Sequence, residues 1–269
     1  MTDVLGLKGK VVIVTGGTKG VGRGITARFL EAGAEVVVCG RNAPAAPIVA
    51  SGKQATFVAA DVREVDQIAS VVDAAMQTHG RLDVLVNNAG GSPPADAATA
   101  SPRFSEAILR LNLIAPLNFA QHANAVMQKQ ESGGVIINIA SVSAVRPSPG
   151  TAAYGAAKAG LLSLTQSLAV EWAPRVRVNA ITAGMIRTEQ SDLHYGDAAG
   201  LARVAATVPL GRLAEPEDVG NACLFLASPL SSYVSGASLL LHGGGEKPAF
   251  LEAAEKGGLS PFSQNRETR

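Results

Sequence analysis

Cysteine is scarce: two in 269 residues, Cys39 and Cys223, lack metal-ligand spacing and sit in apolar segments, the setting of reduced, buried thiols. A disulfide framework is excluded, no metal is expected, and a reducing cytoplasm is the expected compartment. An excess of one charge is also missing. Lys and Arg number 23 against 22 Asp and Glu, a formal net charge of +1, so the chain has no broad field for nucleic acid or an anionic membrane. Apolar runs stay well short of the roughly 20 residues that a membrane-spanning helix needs, and Met1 to Lys10 holds no signal-like apolar core. The expected partner is a small molecule. No repeat or low-complexity linker divides the chain, and with 47% hydrophobic residues it can bury one large core. A single domain over residues 1–245 is expected. Beyond Gly245 the sequence turns charged and irregular, an extension over 246–269 expected to be partly ordered or disordered.

What the chain has in plenty is short β-branched runs, at residues 11–14, 35–38, 56–59, 82–86, 135–139, 176–181 and 238–241. Longer helical stretches separate most of them. Strands alternating with helices predict an α/β fold: one doubly wound, Rossmann-like domain with a mainly parallel seven-stranded sheet and helices on both faces. Ligands of such sheets gather at the carboxyl ends of the strands. One crossover breaks the pattern, because residues 42–54 contain Pro44, Pro47 and Gly52, and a full helix there is not expected.

The first strand runs into Thr15, Gly16, Gly17, Thr18, Lys19, Gly20, Val21 and Gly22, followed by a helical pattern. Glycines let the backbone turn sharply and approach a pyrophosphate, while the helix N-terminus offers unpaired amides and a partial positive charge. Position after the first strand makes this a dinucleotide-site candidate. The spacing Thr15, Gly16, Gly20, Gly22 resembles the short-chain dehydrogenase/reductase family, as do Asp61 and Val62 after the third strand and Asn87, Asn88, Ala89 and Gly90 after the fourth. The resemblance spans about Leu7 to Gly245. It implies cofactor contacts from Gly16, Thr18, Lys19, Gly20, Val21, Gly22, Arg41, Asp61, Val62, Asn88, Ala89 and Gly90. After the second strand no acid stands ready for a ribose diol. Arg41 follows Cys39 and Gly40, and with Lys19 it favours NADP(H), NAD(H) being the alternative.

Tyr154 and Lys158 stand one turn apart on a predicted helix. A neighbouring ammonium favours the phenolate, so Lys158 is expected to lower the Tyr154 pKa from its usual value of about 10. By resemblance, Ser141 holds the substrate oxygen, Tyr154 is the acid and base, Lys158 holds the nicotinamide ribose as well, and Asn112 relays protons through water. The catalytic set is therefore Asn112, Ser141, Tyr154 and Lys158. Ser143 suits a pocket wall better, and a capping or core role is the plain alternative for Asn112. Past the sixth strand, Gly184, Ile186 and Thr188 correspond to nicotinamide contacts, with Ala183 where relatives carry proline and His242 where they carry aspartate.

The implied activity is interconversion of a ketone and a secondary alcohol by hydride transfer. Residues 189–210 are expected to form a lid, mostly apolar, with polar additions from Arg146, His194 and Tyr195. A bulky apolar ketone or alcohol, or a 3-oxoacyl thioester, suits such a pocket. The competing reading is a non-catalytic dinucleotide sensor or scaffold on the same fold. The family resemblance further implies a homotetramer. Beyond the shared core, Phe250, Leu251 and Phe262 of the extension are expected to cover a pocket or a neighbouring subunit.

Overall fold

The structure is a computed structural model and describes residues 4–248. Phe250, Leu251 and Phe262 lie outside the described residues. In chain order the elements are β1 (Val11–Thr15), α1 (Gly20–Glu31), β2 (Glu35–Gly40), a hairpin of β3 (Val49–Ala50) and β4 (Lys53–Gln54), β5 (Thr56–Ala59), α2 (Val65–His79) and β6 (Val84–Asn87). Then come α3 (Pro102–Leu109), a π-helical turn (Arg110–Ile114), α4 (Ala115–Met127), β7 (Gly134–Ser141), α5 (Ala152–Glu171) and β8 (Val176–Ala183). The chain closes with α6 (Asp192–Tyr195), α7 (Ala198–Thr207), α8 (Pro216–Ala227) and β9 (Ser238–Leu241).

Seven strands pair in parallel in the order β5-β2-β1-β6-β7-β8-β9. β1 is buried along its whole length because both faces of the sheet are covered. Its side chains alternate between them: Val11 and Ile13 pack with Ile68, Val71, Phe119 and Leu168, while Val12 and Val14 pack with Ile25, Phe29, Val219 and Leu224. A strand buried on both sides shows no polar alternation, which is why these segments stand out as apolar runs.

The second crossover carries no helix. Instead β3 and β4 turn back through Ser51 and Gly52, both with positive φ, at 50° and 77°. Ile48 and Ala55 flank this hairpin and join the core beside Val36 and Val38. No helix among the described residues is long and apolar enough to cross a membrane.

From β1 the chain winds outward to β5, then returns to the other side of β1 to lay down β6 and the strands beyond. Loops leaving β1 and β6 therefore part in opposite directions, and a crevice opens at their carboxyl ends, where such sheets place ligands.

Candidate active site

β1 delivers its last residue, Thr15, into this crevice. The Thr15 hydroxyl accepts from the amides of Asn88 and Ala89, each at 2.9 Å, and the Asn88 side chain donates back to the Thr15 carbonyl at 2.9 Å. The loop after β1 is thus tied to the end of β6. Two of its glycines need their freedom: Gly16 sits at φ 63°, and a Cβ on Gly22 would fall 2.2 Å from the Gly16 carbonyl oxygen. α1 starts with no side-chain cap and no acid in its first turn, so its amides and partial positive charge remain available to an anion. That preference is visible: the Gly20 amide donates to Glu189 Oε1 at 2.9 Å, a carboxylate brought in from far along the chain. A tight glycine cradle that accepts an anion fits the diphosphate of a dinucleotide.

The neighbouring strand ends complete the crevice. Gly40 faces Thr18, whose Oγ1 lies 3.6 Å from where a Gly40 Cβ would stand, and Arg41 follows it. The charge of Arg41 acts on Asp61, but the strongest influence is Arg63, whose guanidinium holds the Asp61 carboxyl down to about 2. Val62 is buried in the core. Gly90 is wedged between two expected site residues: a Cβ there would lie 2.7 Å from Asn112 Oδ1 and 3.3 Å from Lys158 Nζ.

α5 carries Tyr154 and Lys158, and β7 ends on Ser141 beside them. A buried polar chain fixes this arrangement, since Asn87 donates to Asn138 at 2.9 Å and Asn138 to Thr165 of α5 at 2.9 Å. Lys158 is buried, donates to the Ile139 carbonyl at 2.8 Å, and is pushed down to about 8 by burial. Its Nζ lies 5.6 Å from the centre of the Tyr154 ring. The expected lowering of the Tyr154 pKa is corrected here. Burial raises it, the Ser141 hydroxyl partly opposes that rise, and Tyr195 adds to it. The lysine's hydrogen bond goes to the backbone, and desolvation decides the direction of the shift.

Asn112 falls in the π-helical turn, fully buried. Its amide accepts from Gly91 N and donates to the Gly91 and Ile108 carbonyls, all at 2.9 Å. It therefore braces the β6 loop next to Lys158. Ser143 accepts from Ser148 at 3.0 Å and lines a groove of about 470 Å³ with Pro147, Ala152 and Ala156, beside the Tyr154 and Ser141 pair.

β8 leads to Gly184, whose amide donates to Leu241 at 2.8 Å and whose Cα packs against His242. Ile186 bridges to Ala214, and Thr188 lies against Gly20. The segment beyond contains α6 and α7 and is stitched to the end of the described chain by Leu210 N to Gly243 O at 3.1 Å and Lys247 N to Thr207 O at 3.1 Å. Arg146, from the loop after β7, pairs with Glu246 at 2.7 Å, and both charges act on the half-buried Tyr195. The His194 side chain lies outside the described residues. Sequence reasoning missed Glu189, Glu246 and Arg63 as parts of the site. The first two meet partners far along the chain and leave no local signal, whereas Arg63, two residues beyond Asp61, was within reach of a turn-forming pattern.

Known proteins share this architecture. A family model described as enoyl-(acyl carrier protein) reductase matches residues 16–246. The chain is 35% identical to a 3alpha-hydroxysteroid dehydrogenase of Mediterraneibacter gnavus, over 88% of this chain and 97% of that one. It is 37% identical to a 3-oxoacyl-[acyl-carrier-protein] reductase of Chlamydia pneumoniae, with the same coverage of each. Among solved structures, the ligand-free aldohexose dehydrogenase of Thermoplasma acidophilum superposes with a TM-score of 0.82 at 30% identity, covering 88% of this chain and 94% of that one.

Proposed function

The chain belongs to the short-chain dehydrogenase/reductase family and is an NAD(P)-dependent oxidoreductase of the ketone and secondary alcohol class; on that premise we propose that Tyr154 is its acid and base. The observation that carries this is the convergence of Tyr154, Ser141 and the buried Lys158 beside the glycine cradle. When bound, the nicotinamide supplies or accepts the hydride. In reduction, the Tyr154 phenol donates its proton to the substrate oxygen as negative charge develops there. The Ser141 hydroxyl donates a hydrogen bond to the same oxygen and fixes its direction. Lys158 keeps a positive charge near the phenol and holds the nicotinamide ribose. Asn112 connects this cluster to solvent by way of water while bracing Gly91. In oxidation the phenol takes the proton back.

Gly16, Thr18, Lys19, Gly20, Val21 and Gly22 would hold the diphosphate end. Arg41, Asp61 and Val62 would hold the adenosine end, with Asn88, Ala89, Gly90, Gly184, Ile186 and Thr188 reaching towards the nicotinamide. NADP(H) is the preferred cofactor on the strength of Arg41 and Lys19 and of a strand end without an acid. The substrate is a bulky ketone or alcohol, or a 3-oxoacyl thioester, chemistry that the names of the relatives also span. The working unit is a homotetramer of a domain spanning 1–245. Leu239 and Leu240 on the edge strand β9 are 36% and 51% exposed, Tyr233 nearby is fully exposed, and Ile114 and Val170 are also exposed. The two buried thiols suit a reducing cytoplasm, Cys39 being pushed up to about 12 by burial.

The test is a panel of ketones and alcohols followed by nicotinamide absorbance, with NADP(H) and NAD(H) side by side and Tyr154→Phe as the blank. Turnover in the wild type and its loss in the variant are expected. Equal activity in both would overturn the assignment of Tyr154.

A further inference from the structure

Opposite charges reach one place from two distant parts of the chain. Arg146 lies in the loop that leaves Ser141, and Glu246 follows the run of glycines after β9. The route to Glu246 is a built one. Gly243 and Gly244 have positive φ, at 65° and 95°, and a Cβ would stand 2.7 Å from Val208 Cγ1 at the first and 2.9 Å from Pro209 Cβ at the second. Only glycine lets the chain pass so close to that segment. Leu210 N to Gly243 O and Lys247 N to Thr207 O, both at 3.1 Å, hold the passage on either side of Glu246. The carboxylate thus arrives on a fixed backbone. Arg146 NH2 meets its Oε1 at 2.7 Å, while Arg146 NH1 donates to the Pro147 carbonyl at 3.1 Å.

Tyr195 joins this pair to the chemistry. Its half-buried phenol stands within electrostatic reach of Tyr154 on one side and of Arg146 and Glu246 on the other. A substrate that places its oxygen at Ser141 and Tyr154 and extends past Tyr195 therefore meets a guanidinium and a carboxylate side by side. Together they offer hydrogen-bond donors and acceptors without a net charge. An anionic group gains Arg146 only by displacing Glu246, and a cationic group gains Glu246 only by displacing Arg146. Either exchange leaves one charge without its partner. A hydroxyl or an amide both donates and accepts, so it can bond to the pair without parting it.

Resting on the ketone and alcohol reading above, we propose that Arg146 and Glu246 form the far end of the substrate site and select a substrate with an uncharged hydrogen-bonding group there, a hydroxyl or an amide, over one with a carboxylate. The two side chains are 41% and 40% exposed, so the pair contributes little to stability and its variants are expected to stay folded. A pair that only fastened the chain would leave the charge preference for ligands unmoved when one member is neutralised.

The experiment measures, by calorimetry, binding of two matched ketone probes, 7-oxooctanamide and 7-oxooctanoate, to protein saturated with oxidised cofactor, so that no turnover intervenes. Wild type, Glu246→Gln, Arg146→Met and the double variant are compared, with thermal melts alongside. Wild type is expected to bind the amide about fivefold or more tightly than the carboxylate. Glu246→Gln frees Arg146 and should shift the ratio about tenfold towards the carboxylate, whereas Arg146→Met should shift it about fivefold the other way. The double variant should return the ratio to within about threefold of wild type. A wild type that prefers the carboxylate, a ratio that does not move in Glu246→Gln, or no binding of either probe to any of the four proteins overturns the proposal. Failure of the underlying reading looks different: wild type would then show no Tyr154-dependent turnover of any ketone, whatever ratio the two probes give.

Discussion

At the amino end of the sheet a buried carboxylate, Asp83, accepts from Lys10 at 3.0 Å, from the Val11 amide at 2.9 Å and from both arms of Arg81 at 2.7 and 2.5 Å. At the carboxyl end a buried ammonium, Lys158, donates to one backbone carbonyl and meets no carboxylate among the described residues. The outcomes diverge accordingly. Burial pushes the Asp83 carboxyl up, but Arg81, Val11 and Lys10 more than reverse it, so the group titrates below its usual value. Lys158 has only the burial and falls to about 8. One end of the sheet uses buried charge to fasten the fold, and the other tolerates an under-compensated charge beside the phenol of the proposed acid and base.

Exchanging damage between the two ends is the strongest way to break this contrast. Tyr154→Phe should cut turnover by about 10²–10⁴-fold and leave the melting temperature nearly unchanged. Asp83→Ala should do the reverse, costing about 1–3 kcal/mol in denaturant unfolding because the Val11 amide loses its buried acceptor, with turnover intact well below the melt. An Asp83 variant whose turnover collapses while it remains folded would dissolve the distinction. Acid sharpens it. Since the folded carboxyl titrates below the unfolded one, its stabilisation is complete above the ordinary aspartate value and is lost as pH falls from there through the lowered folded value. Against Asp83→Asn, the wild type should lose its advantage only in that acidic window.

How much was legible in the sequence follows the same division. The seven strands were readable because a strand buried on both faces is an apolar run, and Pro44, Pro47 and Gly52 correctly denied the second crossover a helix. They did not announce the β3–β4 hairpin, whose turn depends on Ser51 accepting a positive φ. Spacing put Tyr154 and Lys158 on one helix. It gave the wrong sign for the phenol because spacing contains no burial, and desolvation decides both titrations. Glu189 was illegible for another reason: its partner, Gly20, lies 169 positions away, so only the folded chain brings an acid to the start of α1.

Lys158→Met probes the under-compensated end by itself. Depression from 10.5 to about 8 corresponds to a penalty of about 3 kcal/mol at pH 7, less about 1 kcal/mol for the hydrogen bond lost at Ile139, so the variant should gain about 2 kcal/mol of stability. Turnover should fall by about a hundredfold or more. Between pH 8 and 10.5 the unfolded wild-type chain binds the proton more readily than the folded one, so wild-type stability rises with pH and the variant's advantage shrinks. An advantage that stays constant across that window would assign the gain to packing and leave Lys158 as well compensated as Asp83.

The smallest expected effect lies where the segment after β8 touches α1. Glu189 and the diphosphate of a dinucleotide both seek the partial positive charge at the same helix start, and a carboxylate there is worth about 0.3–1 kcal/mol. Glu189→Ala should therefore bind dinucleotide about two- to fivefold more tightly than wild type at low salt, and screening should narrow the difference at high salt. Without dinucleotide, the backbone amides of α7 should exchange faster in the variant, because one tie between residues 189–210 and α1 has gone. Weaker binding by Glu189→Ala would reverse the sign of the contact. The acid would then act as part of the closed lid over bound cofactor, and the carboxyl end of the sheet would hold one fewer charge that its ligand has to displace.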